Sequence, residues 1–123
     1  MNHKMTALIV DDSQSIRMAL GYILRDAGIT VVEAIDGEDA LAQAKKQKFD
    51  FVITDINMPK MNGLSLIKIL RTLPSYEFTP ILTLTNLNSD RIKQELKSAG
   101  ASGWIQKPFG TETLLKTIQK VAA

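Results

Sequence analysis

The strongest constraint in this chain of 123 residues is an alternation. Five short runs rich in β-branched and apolar residues, Thr6–Val10, Thr30–Ala34, Phe51–Thr54, Pro80–Leu84 and Ser102–Gln106, take turns with segments whose apolar residues recur at helical spacing. The first, third and fourth runs are nearly continuous in apolar residues, the pattern of parallel strands covered on both faces. Ile16, Leu20, Ile23 and Leu24 form one helical stripe, with Ser13 placed to cap its start and Gly28 to end it. Ala40, Leu41 and Ala44 follow Asp36-Gly37, while Leu64, Ile67 and Leu70 follow Asn62-Gly63 and run to Pro74. Ile92, Leu96 and Ala99 follow Ser89 and stop at Gly100, and Leu114, Leu115, Ile118 and Val121 follow Thr111. Strand then helix, five times over, predicts an α/β fold: a doubly wound five-stranded parallel sheet with right-handed crossovers and helices on both faces. The length fits one domain, residues 1–123, which must then hold the whole function.

Composition removes several chemistries. There is no cysteine, hence no disulfide framework, thiolate metal site or Cys nucleophile. The single histidine, His3, lies in the N-terminal tail, which argues against a Ser-His-Asp arrangement and a multi-His zinc site. Fifteen Lys plus Arg against thirteen Asp plus Glu is too even to indicate a nucleic-acid or membrane footprint. The start, Met1 to Met5, lacks the apolar stretch of a secretory signal, and no run approaches the roughly 20 residues of a membrane span. A soluble cytoplasmic protein, monomeric and without nucleic-acid or membrane partners, is the expectation.

In a doubly wound sheet all strands end at one edge, and ligands bind in the crevice outside those ends. Here the first strand ends in Asp11-Asp12, the third in Asp55, the fourth in Thr85-Asn86 and the fifth in Lys107-Pro108. Taken singly these are ordinary residues: Asp12 or Ser13 caps the next helix, Lys107 is a solvated side chain, Thr85 a turn residue. Together they place three carboxylates and an ammonium at one edge, a net charge of about −2, where like charges 4 Å apart repel by ~4 kcal/mol. Such a group takes up protons or a hard divalent cation, and an all-oxygen site suits Mg²⁺ better than zinc. A cation beside a carboxylate nucleophile, with Lys107 and Thr85 to meet phosphoryl oxygens, makes a phosphoryl-transfer site.

From Thr6 to Val121 the chain resembles the receiver domain of two-component response regulators, of the stand-alone chemotaxis, CheY-like type. The residues that carry this are Val10-Asp11-Asp12, Asp36-Gly37, Thr54-Asp55-Ile-Asn-Met-Pro59, Met61-Asn-Gly63, Leu84-Thr85, Ala99-Gly-Ala-Ser-Gly103 and Lys107-Pro-Phe109. The resemblance implies a flavodoxin-like (βα)5 fold with strand order 2-1-3-4-5. It implies that Asp55 is the phosphoacceptor, charged from a phosphohistidine on a partner kinase of the CheA-like type, and that the protein is a signalling module rather than an enzyme. Asp11, Asp12, Asp55 and the backbone carbonyl of Asn57 would hold Mg²⁺, Lys107 would pair with the phosphoryl oxygens and Thr85 would move to hydrogen-bond them. Family members usually hold the bond matching Lys107-Pro108 in the cis form.

Switching in the family couples the matching Thr to an aromatic residue on the fifth strand, here Trp104, which either turns inward on phosphorylation or stays as a half-buried packing residue. Asn86 is larger than the family's usual Ala or Gly and narrows the entrance. Leu87 offers no hydrogen bond to an attacking water, which implies a longer-lived phosphoryl state. The face of helix four, strand five and helix five would present Arg91, Lys93, Lys97, Trp104, Lys116 and Lys120 to an acidic, amphipathic segment of a target protein, the flagellar motor switch or another adaptor target.

Other readings of the same residues are a degenerate receiver acting as a fixed adaptor, a Mg-dependent aspartyl-phosphate phosphohydrolase and a flavin binder. Retention of the full Asp, Asp, Asp, Thr, Lys set argues against the first. Asp11 and Asp12 are adjacent, where the haloacid dehalogenase type needs aspartates one residue apart. Two carboxylates in the first loop would repel a flavin phosphate.

Overall fold

The computed structural model describes residues 4–86 and 89–122. Five strands, β1 (Thr6–Val10), β2 (Thr30–Ala34), β3 (Phe51–Asp55), β4 (Ile81–Thr85) and β5 (Gly103–Gln106), alternate with five helices. These are α1 (Gln14–Asp26), α2 (Gly37–Lys46), α3 (Gly63–Thr72), α4 (Asp90–Ala99) and α5 (Thr111–Ala122). The strands form one parallel sheet in the order β2-β1-β3-β4-β5, as the resemblance implied.

The period-two pattern of the strands divides the core into two apolar layers. Ala7, Ile9, Phe51, Ile53, Leu82, Leu84 and Ile105 point to α1 and α5, where Leu20, Leu24, Leu114 and Ile118 meet them. Leu8, Val10, Val52 and Ile81 point the other way, onto Ala40 and Ala44 of α2, Leu66, Ile67 and Leu70 of α3, and Leu96 and Ala99 of α4. Burial on both faces is why the central strands read as continuous apolar runs. No described helix is long and apolar enough to cross a membrane.

The helix ends follow the expected chemistry. Ser13, Asp36, Asn62 and Ser89 each cap their helix, accepting from the backbone N–H three residues on. Ser13, not Asp12, is the α1 cap, which leaves the Asp12 carboxylate to the strand edge. Gly28 and Gly100 take φ of +85° and +105° just beyond α1 and α4.

Two strands start one residue later than the sequence pattern indicates. Pro80 has no N–H, and its carbonyl serves instead as acceptor for Val52 N at 3.0 Å. Ser102 bonds Ile81 through both its side chain, which accepts from Ile81 N at 2.9 Å, and its own N–H, which donates to Ile81 O at 2.7 Å. A 3-10 turn, Pro74–Tyr76, follows α3 and was not evident from the sequence.

Two side chains tie this end of the molecule together. Tyr76, 1% exposed, directs its hydroxyl to the carbonyls of Ala44 and Gln47 at the end of α2 (3.0 and 2.8 Å) and accepts from Phe49 N at 3.3 Å. Arg71, near the end of α3, donates to Tyr76 O at 2.8 Å and Thr79 O at 2.6 Å, and with its other nitrogens to Gly100 O at 3.0 and 2.8 Å. It therefore fastens α3 to the following loop and to the end of α4.

Candidate functional site: the acidic edge of the sheet

Strand register decides what meets at the carboxyl edge. Val10 of β1 is level with Thr54 of β3, so Asp11 emerges beside Asp55. Asp55 is level with Leu84, and Thr85 with Gln106, so Thr85 and Lys107 leave the sheet alongside. Lys107 N donates to Thr85 O at 2.8 Å, carrying the ladder one step past β5. The Lys107-Pro108 peptide is cis.

The side chains converge as this register requires. One carboxylate oxygen from each of Asp11, Asp12 and Asp55 lies within 4.8 Å of the others. Lys107 Nζ stands 3.4 Å from Asp11 Oδ2 and 3.3 Å from Asp55 Oδ2. Asp55 Oδ1 accepts from Ile56 N at 2.7 Å, so its two oxygens have different surroundings: one is held by the backbone and the other faces the lysine. The Asp55 side chain is 12% exposed, that of Asp11 2%, and Asp12 is exposed. Entry to the pocket is therefore over Asp12 and Asp55, with Asp11 at the floor.

Burial pushes the Asp11 carboxyl above the usual carboxylate range. The Ser13 N–H, 2.9 Å from Oδ1, and the Lys107 ammonium pull it back, while the charge of Asp55 adds to the rise. Three carboxylates against one ammonium leave excess negative charge, and the donors are all hard oxygens. That donor set fits a divalent cation of the Mg²⁺ class.

Thr85 is 2% exposed at the end of β4. Asn86 beyond it is exposed, as is Asn57, two residues past Asp55. Leu87 lies outside the described residues. Trp104, on the edge strand, is half-buried against the α2-α3-α4 layer, with Lys93 Nζ 5.9 Å from its ring centre. The basic stripe read from the sequence is partly neutralised, because Arg91 pairs with Glu95 at 3.4 Å and Lys116 with Glu112 at 3.2 Å.

Three glycine or arginine positions shape the pocket without belonging to its acidic set. A Cβ on Gly63 would lie 2.1 Å from Asp55 O, so only glycine lets α3 start this close to the end of β3. A Cβ on Gly37 would meet the Met61 side chain at 2.8 Å. Arg17, in the second turn of α1, donates from Nη1 to Asp11 O at 2.7 Å and from Nε to Glu33 at 3.1 Å. The Asp36-Gly37 and Asn62-Gly63 pairs are visible in sequence, but their close approaches are not. Arg17 leaves no sequence signal because its partner at Asp11 is a main-chain oxygen.

The model of the response regulator receiver domain matches residues 7–119. Chemotaxis protein CheY-3 of Vibrio cholerae is 39% identical over 122 residues, covering 98% of this chain and 94% of that protein. Chemotaxis protein CheY of Pseudomonas aeruginosa is 38% identical over 119 residues, 95% of each chain. Among solved structures, chemotaxis protein CheY4 of Vibrio cholerae superposes with a TM-score of 0.94 at 50% identity, covering 97% of this chain and 99% of that one. Receiver domains accept phosphate from histidine kinases and bind Mg²⁺ at an acidic pocket, and CheY-like members are signalling proteins. With a sheet in the order 2-1-3-4-5 and an acidic cluster at its carboxyl edge, this chain belongs to the receiver-domain family of CheY-like response regulators.

Proposed function

We propose that this protein is a phosphorylation-controlled binding module whose phosphoacceptor is Asp55. The observation that carries this is the asymmetry of the Asp55 carboxylate: Oδ1 is held by Ile56 N–H, and Oδ2 faces Lys107 at 3.3 Å inside a cluster of carboxylates. The oxygen not tied to the backbone attacks the phosphorus of a phosphohistidine on the partner kinase. The new O–P bond forms as the P–N bond breaks, and the electron pair returns to the imidazole, which takes up a proton.

Asp11, Asp12, Asp55 and the backbone carbonyl of Asn57 are the residues that would hold Mg²⁺. The ion supplies charge neutralisation for the phosphoryl oxygens. Lys107 exchanges its contact with Asp55 for the arriving phosphoryl group, and Thr85, at the end of the neighbouring strand, donates its hydroxyl to the same group. The consequence is read out at the face of α4, β5 and α5 through Trp104, which Lys93 covers in the structure described. The similarity to proteins named for chemotaxis supports a chemotactic output, with an acidic, amphipathic segment of a target protein as the binding partner.

The test is intact mass after incubation with a small acyl phosphate, with and without Mg²⁺, on wild type and Asp55→Asn, while Trp104 fluorescence is followed. One phosphoryl group is expected on wild type only, and only with Mg²⁺, accompanied by a fluorescence change. Absence of the adduct from wild type under all conditions replaces this reading with a fixed adaptor.

A further inference from the structure

The Asp11-Asp12 dipeptide supplies two of the three clustered carboxylates, and the peptide between them determines where both can point. Its carbonyl is gripped by Arg17 Nη1 at 2.7 Å. The Asp11 N–H donates to Ala34 O at 3.2 Å, so the residue is held to β2 on one side and to α1 on the other. Arg17 is itself restrained. Its Nε donates to Glu33 Oε1 at 3.1 Å, its side chain is 13% exposed, and Glu33, level with Ile9 on β2, is also 3.7 Å from Arg25.

We infer that Arg17, locked by Glu33, is a positioning residue for the acidic pocket: it fixes the plane of the Asp11-Asp12 peptide and so brings the carboxylates together for a divalent cation. This rests on the proposed metal-dependent reading of the same pocket. Arg17 suits the task because a guanidinium can hold a carbonyl and a carboxylate at once in fixed geometry, which an ammonium cannot. Its charge works in the opposite sense. A cation beside an acidic pocket repels an incoming metal ion, and Glu33 cancels much of that repulsion.

The two roles therefore predict opposite signs. Removing Arg17 as a charge tightens Mg²⁺ binding; removing it as a positioning group weakens it. The experiment is calorimetric titration of chelator-treated full-length protein with Mg²⁺ alone, for wild type, Arg17→Met, Arg17→Lys and Glu33→Gln, with thermal unfolding of each variant alongside. Arg17→Met is expected to raise Kd by about tenfold, the lower end of what loss of a supporting contact costs a metal site. Arg17→Lys recovers only part of this, and Glu33→Gln, which leaves the arginine in place but unlocked, gives a smaller rise. Phosphorylation by an acyl phosphate extrapolated to saturating Mg²⁺ is expected to fall much less than the affinity does.

An unchanged or lower Kd in folded Arg17→Met overturns the inference, whatever its melting temperature, and leaves the phosphoacceptor reading intact. If Arg17→Met does not fold, Arg17→Lys decides: it keeps the charge and loses the fork, so a Kd equal to that of wild type overturns the inference. Wild type that takes up no Mg²⁺ overturns both.

Discussion

Tyr76 shows how much one hydroxyl does in this fold. Its OH meets two carbonyls at the end of α2 and the N–H of Phe49, and the bonds to Ala44 and Phe49 are buried. Tyr76→Phe keeps the ring and leaves those backbone groups without their partner, so a loss of about 1–3 kcal/mol is expected in urea unfolding at neutral pH. Burial also raises the phenol above its ordinary value of 10.0, against the smaller opposing effect of the Phe49 N–H. With the native value the higher one, the hydroxyl's contribution is fully present below the unfolded value and is lost as pH climbs through the native one. The stability difference between wild type and Tyr76→Phe should therefore be constant up to about pH 10 and shrink above it. A difference that stays constant through the alkaline range would refute the assignment.

Among the elements, α4 is attached differently at its two ends. Its beginning is an exposed Ser89 cap; its end is fastened by Arg71 through Gly100 O. Arg71→Leu removes the shared donor of four carbonyls, from Tyr76, Glu77, Thr79 and Gly100, and is expected to cost about 3 kcal/mol. Arg71→Lys should not restore it, since one ammonium cannot span those acceptors; urea midpoints of the two variants check this. Nothing in the sequence marks Arg71, because every residue type offers the carbonyls it uses. The 3-10 turn is equally silent, being three residues long and without a side-chain cap. By contrast the strands, the helix caps and the residues of the acidic edge were legible. Apolar runs and Ser, Asp or Asn caps are local signals, and a parallel sheet brings all its strand ends to one edge. The basic stripe was legible only in part: Glu95 and Glu112 lie one helical turn from Arg91 and Lys116 and neutralise them.

For the molecule as a whole, metal and fold are linked. A cation that binds the assembled acidic edge but not the unfolded chain stabilises the native state by about 2.7 kcal/mol at a hundred times its Kd. For a chain of this size that amounts to roughly 10 °C in melting temperature. Scanning calorimetry should show this rise with Mg²⁺, its reversal by a chelator, and its absence in Asp12→Ala, whose exposed carboxylate is the least engaged in folding. The clamp at Gly100 has a mechanical counterpart. With ten residues at 1.5 Å each, α4 is about 15 Å long, so a tilt of about 10° pivoting on its fixed end would sweep the Ser89 end through ~2.6 Å. Such a tilt would make the helix a lever with its fulcrum at the far end from the acidic pocket, and its stroke would be largest at the end that follows Thr85 and Asn86 in the chain.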